Sequence, residues 1–389
     1  MKSDLTHLLV KYVEGKRIAW FEQANQWVQL EEPAWFVYKL SVKGLSPDEV
    51  IARCQKKYGS GKEESTRFVT EILNQLYQFQ QPQASPLRSP SPALHPSPVL
   101  NSSLAINWHS VRSYRINNQL ITLFFQFDWL EYNVHPLLAH LEIPLQISGG
   151  ESIELFQIDA GYYVRLAKDP NRTWVFDKHE LQKGRAFIEI LNTIFGKKEE
   201  NWMTIVHGSA ITDGKSTILF SSACGGGKST MAALLHANGF QVLSDDMVPV
   251  EAKSRKIYPF PAALSVKAGA IPLLIPYFPD LATAKTFDFP TLDKQVRYLP
   301  LNQSLVDKGL INKAKILIFI KYDRTEDLRL EKISKLEAIK LFNEEAWISP
   351  TPENAKSYIN WFLSLTCYKL TYSNNESAIL KIRQLFNAE

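Results

Sequence analysis

The chain has 389 residues, with 44 Lys or Arg against 40 Asp or Glu, a formal charge of +4, 45% hydrophobic and 22% charged residues. That is the balance of a globular protein of two or three domains, and so small a basic excess excludes a nucleic-acid-binding signature. Three cysteines at no metal-ligand spacing, no signal-like apolar segment at the N-terminus and no apolar run of about 18 residues lead to the expectation of a cytoplasmic protein without a membrane span.

At the N-terminus, alternation over 17–21 and 27–30 around a polar Glu-Gln-Ala-Asn-Gln turn predicts a β-hairpin within 15–30. A short helix is expected over 33–40. Ser46, Pro47 and Glu49 then place a cap, a first-turn proline and a capping-box glutamate at the start of another helix, which Gly59 ends. Phe68, Val69, Ile72, Leu73 and Leu76 form one stripe of a third helix over 62–79. This hairpin and three helices resemble the PqqD-like peptide-recognition domain, a small winged-helix module occupying residues 1–82. The resemblance implies capture of the leader segment of a ribosomally made precursor peptide, added as a strand at the hairpin edge.

Residues 83–104 are rich in Pro and Ser. Proline fixes φ and removes an N–H donor, so this stretch is expected to be an extended linker. From 105 to 202 the pattern is that of a β-rich intermediate domain, with aromatic-rich strands over 119–127, 152–158, 162–166 and 173–176, then a helix over 178–195. No chemistry is legible in this region.

The strongest signal lies between 204 and 250. An apolar strand-like run over 217–220 leads into Ser222, Ala223, Cys224, Gly225, Gly226, Gly227, Lys228, Ser229 and Thr230, and a helical run over 228–238 follows. Strand, glycine-rich turn and helix are what a phosphate-binding loop requires. The glycines let successive N–H groups point inward, the helix dipole faces the same concavity, Lys228 neutralises phosphate charge and the Ser229 hydroxyl joins a Mg²⁺ shell. Ser222 stands where that motif usually begins with glycine. At the end of the next apolar run, over 240–243, come Asp245 and Asp246, two carboxylates able to hold Mg²⁺ and to take a proton from an attacking hydroxyl.

His207 and Gly208 at the head of one strand, the loop beginning at Ser222 and the Asp245–Asp246 pair together resemble the catalytic core of HPr kinase/phosphorylase and its relatives, over about residues 204–251. The resemblance implies an ATP-binding domain over 203–389. It places ATP in the loop from Ser222 to Thr230, Mg²⁺ at Ser229 and Asp246, and His207, Lys228, Asp245 and Asp246 around the γ-phosphate in catalytic roles. The chain departs from the family pattern at Thr230, where an acidic residue is usual, and after Asp246, where no glycine- and arginine-rich loop follows.

The remaining chain predicts strands over 256–260, 263–266, 315–320 and 368–370 and helices over 333–342 and 350–365. Residues 271–310, poor in regular pattern and including Arg297, leave room for a lid. The expected fold class is α/β: a P-loop-containing HPr kinase-like domain preceded by a small winged-helix PqqD-like domain and a β-rich intermediate region. The expected activity is ATP- and Mg²⁺-dependent transfer of a phosphoryl group to a Ser or Thr hydroxyl of a peptide or protein, such as a precursor peptide held by the N-terminal domain. A kinase of a small hydroxylated metabolite and a nucleotide-gated peptide-binding module remain open alternatives. Self-association is left open by the hexameric state of the HPr kinase family.

Overall fold

The computed structural model describes residues 8–80, 106–223, 225–290, 293–301, 312–342 and 345–387. The linker expected over 83–104 falls outside the described residues. Three antiparallel strands, β1 (Leu9–Val13), β2 (Lys16–Phe21) and β3 (Gln26–Leu30), precede the helices α1 (Glu32–Val42), α2 (Pro47–Tyr58) and α3 (Lys62–Phe79). The hairpin and all three helices stand where the sequence places them; β1 is an addition. At the start of α2 the Glu49 N–H donates to the Ser46 hydroxyl at 3.4 Å and the Ser46 N–H donates to the Glu49 carboxylate at 2.7 Å, a reciprocal cap of two otherwise orphaned donors.

Alternation along β2 explains how this unit is held. Ala19 and Phe21 face Tyr38 and Leu76 of its own helices, whereas Ile18 and Trp20 face the opposite way and share a core with Ile348, Tyr358 and Trp361. Lys11 Nζ donates to Asn360 Oδ1 at 3.0 Å, and the Lys335 backbone N–H donates to the Glu14 carboxylate at 2.8 Å. The N-terminal unit is therefore packed against the C-terminal part of the chain, not held off on a tether.

Residues 110–195 build a six-stranded sheet with two helices: β4 (Ser110–Ile116), β5 (Gln119–Phe125), α4 (Asp128–Leu138), β6 (Glu142–Ile143), β7 (Glu151–Ile158), β8 (Gly161–Leu166), β9 (Asp169–Phe176) and α5 (His179–Phe195). The order is β6-β4-β5-β7-β8-β9, and only the β5–β7 pair is parallel. The meander β7-β8-β9 and α5 follow the sequence reading. Helix α4 does not, because Pro136 within it breaks the helical pattern. The core under α5 continues into Trp202, Phe260 and Ala262, so this sheet and the following region share one apolar interior.

The rest comprises β10 (Trp202–Val206), β11 (Ser209–Thr212), β12 (Thr217–Ser221), α6 (Lys228–Ala237), β13 (Gln241–Asp245), β14 (Val248–Glu251), β15 (Leu264–Lys267), α7 (Ile271–Leu274), β16 (Phe287–Phe289), β17 (Lys294–Leu299), β18 (Ala314–Tyr322), β19 (Arg329–Lys332), β20 (Ala346–Ile348), β21 (Thr366–Tyr372) and helices Lys335–Phe342, Pro352–Ser364 and Asn375–Asn387. The central sheet runs β13-β11-β12-β18-β21-β19, and two three-stranded sheets, β14-β10-β20 and β15-β17-β16, lie beside it. The strand expected over 256–260 does not form: Ile257 makes only isolated bridges to Val250 and Asn312. Nor is the described part of 271–310 without regular structure, since β16 and β17 complete a sheet with β15. Arg297 on β17 hydrogen-bonds to the carbonyls of Leu281, at 2.5 Å, and Ala282, bracing that loop.

One feature of the central sheet positions the site. β11 lies between β12 and β13 and runs antiparallel to both, so its first residue stands at the edge where the other two strands end. His207, the loop after β12 and the aspartates closing β13 are gathered at that one edge.

Candidate active site

The loop from Ser222 to Gly227 joins β12 to α6. Gly225 and Gly227 have φ of 83° and 98°, a left-handed backbone that side-chain-bearing residues rarely adopt. A Cβ on Gly226 would lie 2.7 Å from Ser222 Cβ, so the serine at the head of the loop fits because glycine stands opposite it. Gly208 is fixed in a similar way, since a Cβ there would come 2.5 Å from the Phe220 carbonyl oxygen. That close approach seats the His207 segment directly on β12. Lys228, 7% exposed, donates from Nζ to the Ser222 carbonyl at 3.0 Å and so spans the loop. Cys224 lies outside the described residues.

A cavity of about 150 Å³ is lined by Ser222, Gly225, Gly226, Gly227, Lys228, Ser229 and Thr230 on one side, and by His207, Asp246, Ser265, Lys267 and Lys294 on the other. Ala223 belongs to the same turn, its carbonyl accepting from the Gly226 N–H at 2.9 Å. Lys228, Lys267 and Lys294 bring three basic side chains to this cavity, a charge arrangement that suits an anionic ligand.

The two aspartates have different surroundings. Asp245 is 4% exposed, accepts a hydrogen bond from the Ser209 hydroxyl and lies near the Ser229 hydroxyl. Burial pushes its carboxyl up, the neighbouring Asp246 charge adds to this, and the two serines and Lys228 oppose it. Asp246 begins the turn after β13 with φ of 61° and keeps 49% of its side chain open to the cleft. Burial opposes its charge, but the hydrogen bond and charge of His207, together with Lys228 and Lys294, outweigh that and hold its carboxyl well below the usual range. His207 bridges two acids, with Nε2 3.4 Å from Asp246 Oδ1 and Nδ1 2.7 Å from Glu345 Oε2. Burial opposes the imidazolium, yet the hydrogen bonds to Asp246 and Glu345 raise its pKa to about 9.

Each described residue expected at the site thus reaches it: His207, Ser222, Ala223, Gly225, Gly226, Gly227, Lys228, Ser229, Thr230, Asp245 and Asp246 meet at one edge of the sheet. The sequence did not disclose Glu345, Ser209, Lys183 and Lys294 as members, whereas Lys267 at its strand end reads as either a phosphate contact or a solvated lysine. Ser209 could have been found, since it follows His207 by two positions and opens the next strand. Lys183 comes from α5 and borders two further cavities that also touch Asp246, so the 105–202 region places one of its side chains beside the candidate site.

Among the described residues no group of three or more His, Cys, Asp or Glu would hold a metal by itself, and no helix is long and apolar enough to cross a membrane. Ser229 and the aspartates do suit a Mg²⁺ ion that takes its other oxygens from phosphate and water, as that cation commonly does.

No family model matches the chain, and no curated protein matches it. Among solved structures it is similar to the Hpr(Ser) kinase/phosphatase from Coxiella burnetii, with a TM-score of 0.23 and 10% identity over 46% of this chain and 88% of that one. An overlap this loose carries nothing about chemistry.

Proposed function

We propose that the chain is an ATP- and Mg²⁺-dependent kinase that phosphorylates a Ser or Thr hydroxyl of a peptide or protein. The observation that supports this reading is the opening of the glycine-rich loop, with Lys228, onto the same cavity as His207 and Asp246. Loop N–H groups and Lys228 bind the β- and γ-phosphates, and Lys267 and Lys294 add positive charge where negative charge gathers in the transition state.

Mg²⁺, when bound, would offset the negative charge of the phosphates. Ser229 and the aspartates are the residues that would hold it. The nearness of the Ser229 hydroxyl to Asp245 favours that pair as its protein ligands and leaves Asp246 facing the acceptor, where the resemblance had placed the ion at Ser229 and Asp246 without dividing base from metal ligand. Asp246, fixed by His207, orients the acceptor hydroxyl and takes its proton as the oxygen bonds to the γ-phosphorus; the bond to the β-phosphate oxygen breaks and ADP leaves.

The order of strands and helices in the N-terminal unit supports a precursor peptide as acceptor, recognised through its leader segment. The test is to incubate the full chain with Mg²⁺-ATP and a peptide carrying a leader and a Ser-bearing tail, and to locate any added phosphoryl group by mass spectrometry. Phosphoserine or phosphothreonine in the tail is expected, with a higher KM when the leader is removed. Failure to modify any hydroxyl-bearing peptide, while ATP still binds, would contradict the reading.

A further inference from the structure

On the side of Asp246 away from the loop lies a cavity of about 260 Å³, walled by Leu181, Phe187, Ile188, Met247, Phe260 and Trp347. His207, Asp245 and Asp246 border it, and none of the described loop residues does. An apolar cavity of about 150 Å³ already accommodates benzene, so this one has room for an aromatic ring or a branched aliphatic chain. Burial here pushes the Lys183 amine down to about 8 despite the nearby Asp246 carboxylate, as expected for a poorly hydrated space.

We propose that this cavity receives a large apolar side chain of the acceptor peptide, next in sequence to the residue that is phosphorylated. The proposal rests on the kinase reading above. A hydroxyl held at Asp246 stands at the boundary between the loop cavity and the apolar one. One residue of extended chain spans roughly 3.3–3.6 Å, so the neighbouring side chain falls within reach of the apolar walls. The nucleotide base is not the expected occupant: the γ-phosphate is the end of ATP nearest Asp246, so the base lies beyond the β-phosphate, on the loop side.

Gly184 of α5 lines the cavity, and a Cβ there would meet nothing within 4 Å. Gly184→Phe therefore narrows the space without a clash at the backbone, and Gly184→Ala controls for the change in helix propensity. Full-length protein would be assayed on peptides that differ only in the residue beside a single Ser, either Ala, Leu or Phe. Wild type and Gly184→Ala should prefer Leu and Phe over Ala in kcat/KM by about 10-fold or more, the discrimination an apolar pocket provides. Gly184→Phe should bring that ratio close to one while keeping the ATP-induced rise in Tm. Equal kcat/KM on all three peptides in wild type would overturn the pocket and leave the kinase reading standing. Loss of the ATP-induced shift in Gly184→Phe alone would give the cavity to the nucleotide base and overturn the proposal. Absence of transfer to every peptide would remove the kinase reading, and the pocket with it.

Discussion

Ser209 and Asp245 stand directly opposite each other on paired strands β11 and β13, and the Ser209 hydroxyl donates to the Asp245 carboxylate. Both are almost fully buried, at 0% and 4% exposure. The pairing ties the acidic end of β13 to the strand that begins two residues after His207. It also supplies a donor to a carboxylate that burial would otherwise drive towards its protonated form.

Ser209→Ala should therefore destabilise the protein by about 1–3 kcal/mol, the range for a buried polar group that loses a partner. It should also push the Asp245 carboxyl higher still. Urea unfolding at neutral pH measures the first effect. Stability equal to wild type would mean that Ser229 alone satisfies the carboxylate.

Gly208→Ala probes the contact that seats His207 on the sheet. A Cβ 2.5 Å from the Phe220 carbonyl oxygen requires backbone movement, and overpacking of this kind costs about 1–3 kcal/mol. Because β12 leads into the loop, the same change should weaken ATP binding. Thermal melts with and without Mg²⁺-ATP report both effects. A variant with wild-type Tm and an unchanged ATP shift would show that the contact is not constraining.

The His207 cluster predicts a pH dependence in metal-free and nucleotide-free protein. Its folded-state pKa of about 9 lies above the ordinary value of 6.5, so folding favours the protonated ring. Its contribution is fully present below 6.5, declines as pH rises, and is gone once pH passes about 9. The stability difference between wild type and His207→Ala should follow that curve in unfolding experiments from pH 6 to 10. A difference that stays flat across the range would contradict the bridge to Asp246 and Glu345.

The loop, its helix and the aspartate pair were legible because each depends on local chemistry: glycines where the backbone turns left-handed, a helix start beside them, carboxylates at a strand end. The capped helix α2 was legible for the same reason. Glu345 could not be read, since it meets His207 across 138 positions and its own segment has no motif. Lys183 was hidden differently. In sequence it is one polar position on an amphipathic helix, and only the folded chain brings it to the same cavities as Asp246. The docking of the N-terminal unit was also illegible, because alternation along β2 reveals two faces but not that both are covered.

The rate at which label passes from γ-labelled ATP to a Ser-bearing peptide, compared in wild type, Lys228→Ala and Asp246→Asn, separates nucleotide binding from phosphoryl transfer. Lys228→Ala should abolish both transfer and the ATP-induced stabilisation, which is roughly 2.7 kcal/mol at 100 times the dissociation constant. Asp246→Asn should fold and retain ATP-induced stabilisation but transfer label about 10²- to 10⁴-fold more slowly, the usual loss on removing a general base. Transfer within a few-fold of wild type in Asp246→Asn, or an undiminished ATP-induced shift in Lys228→Ala, would contradict the account.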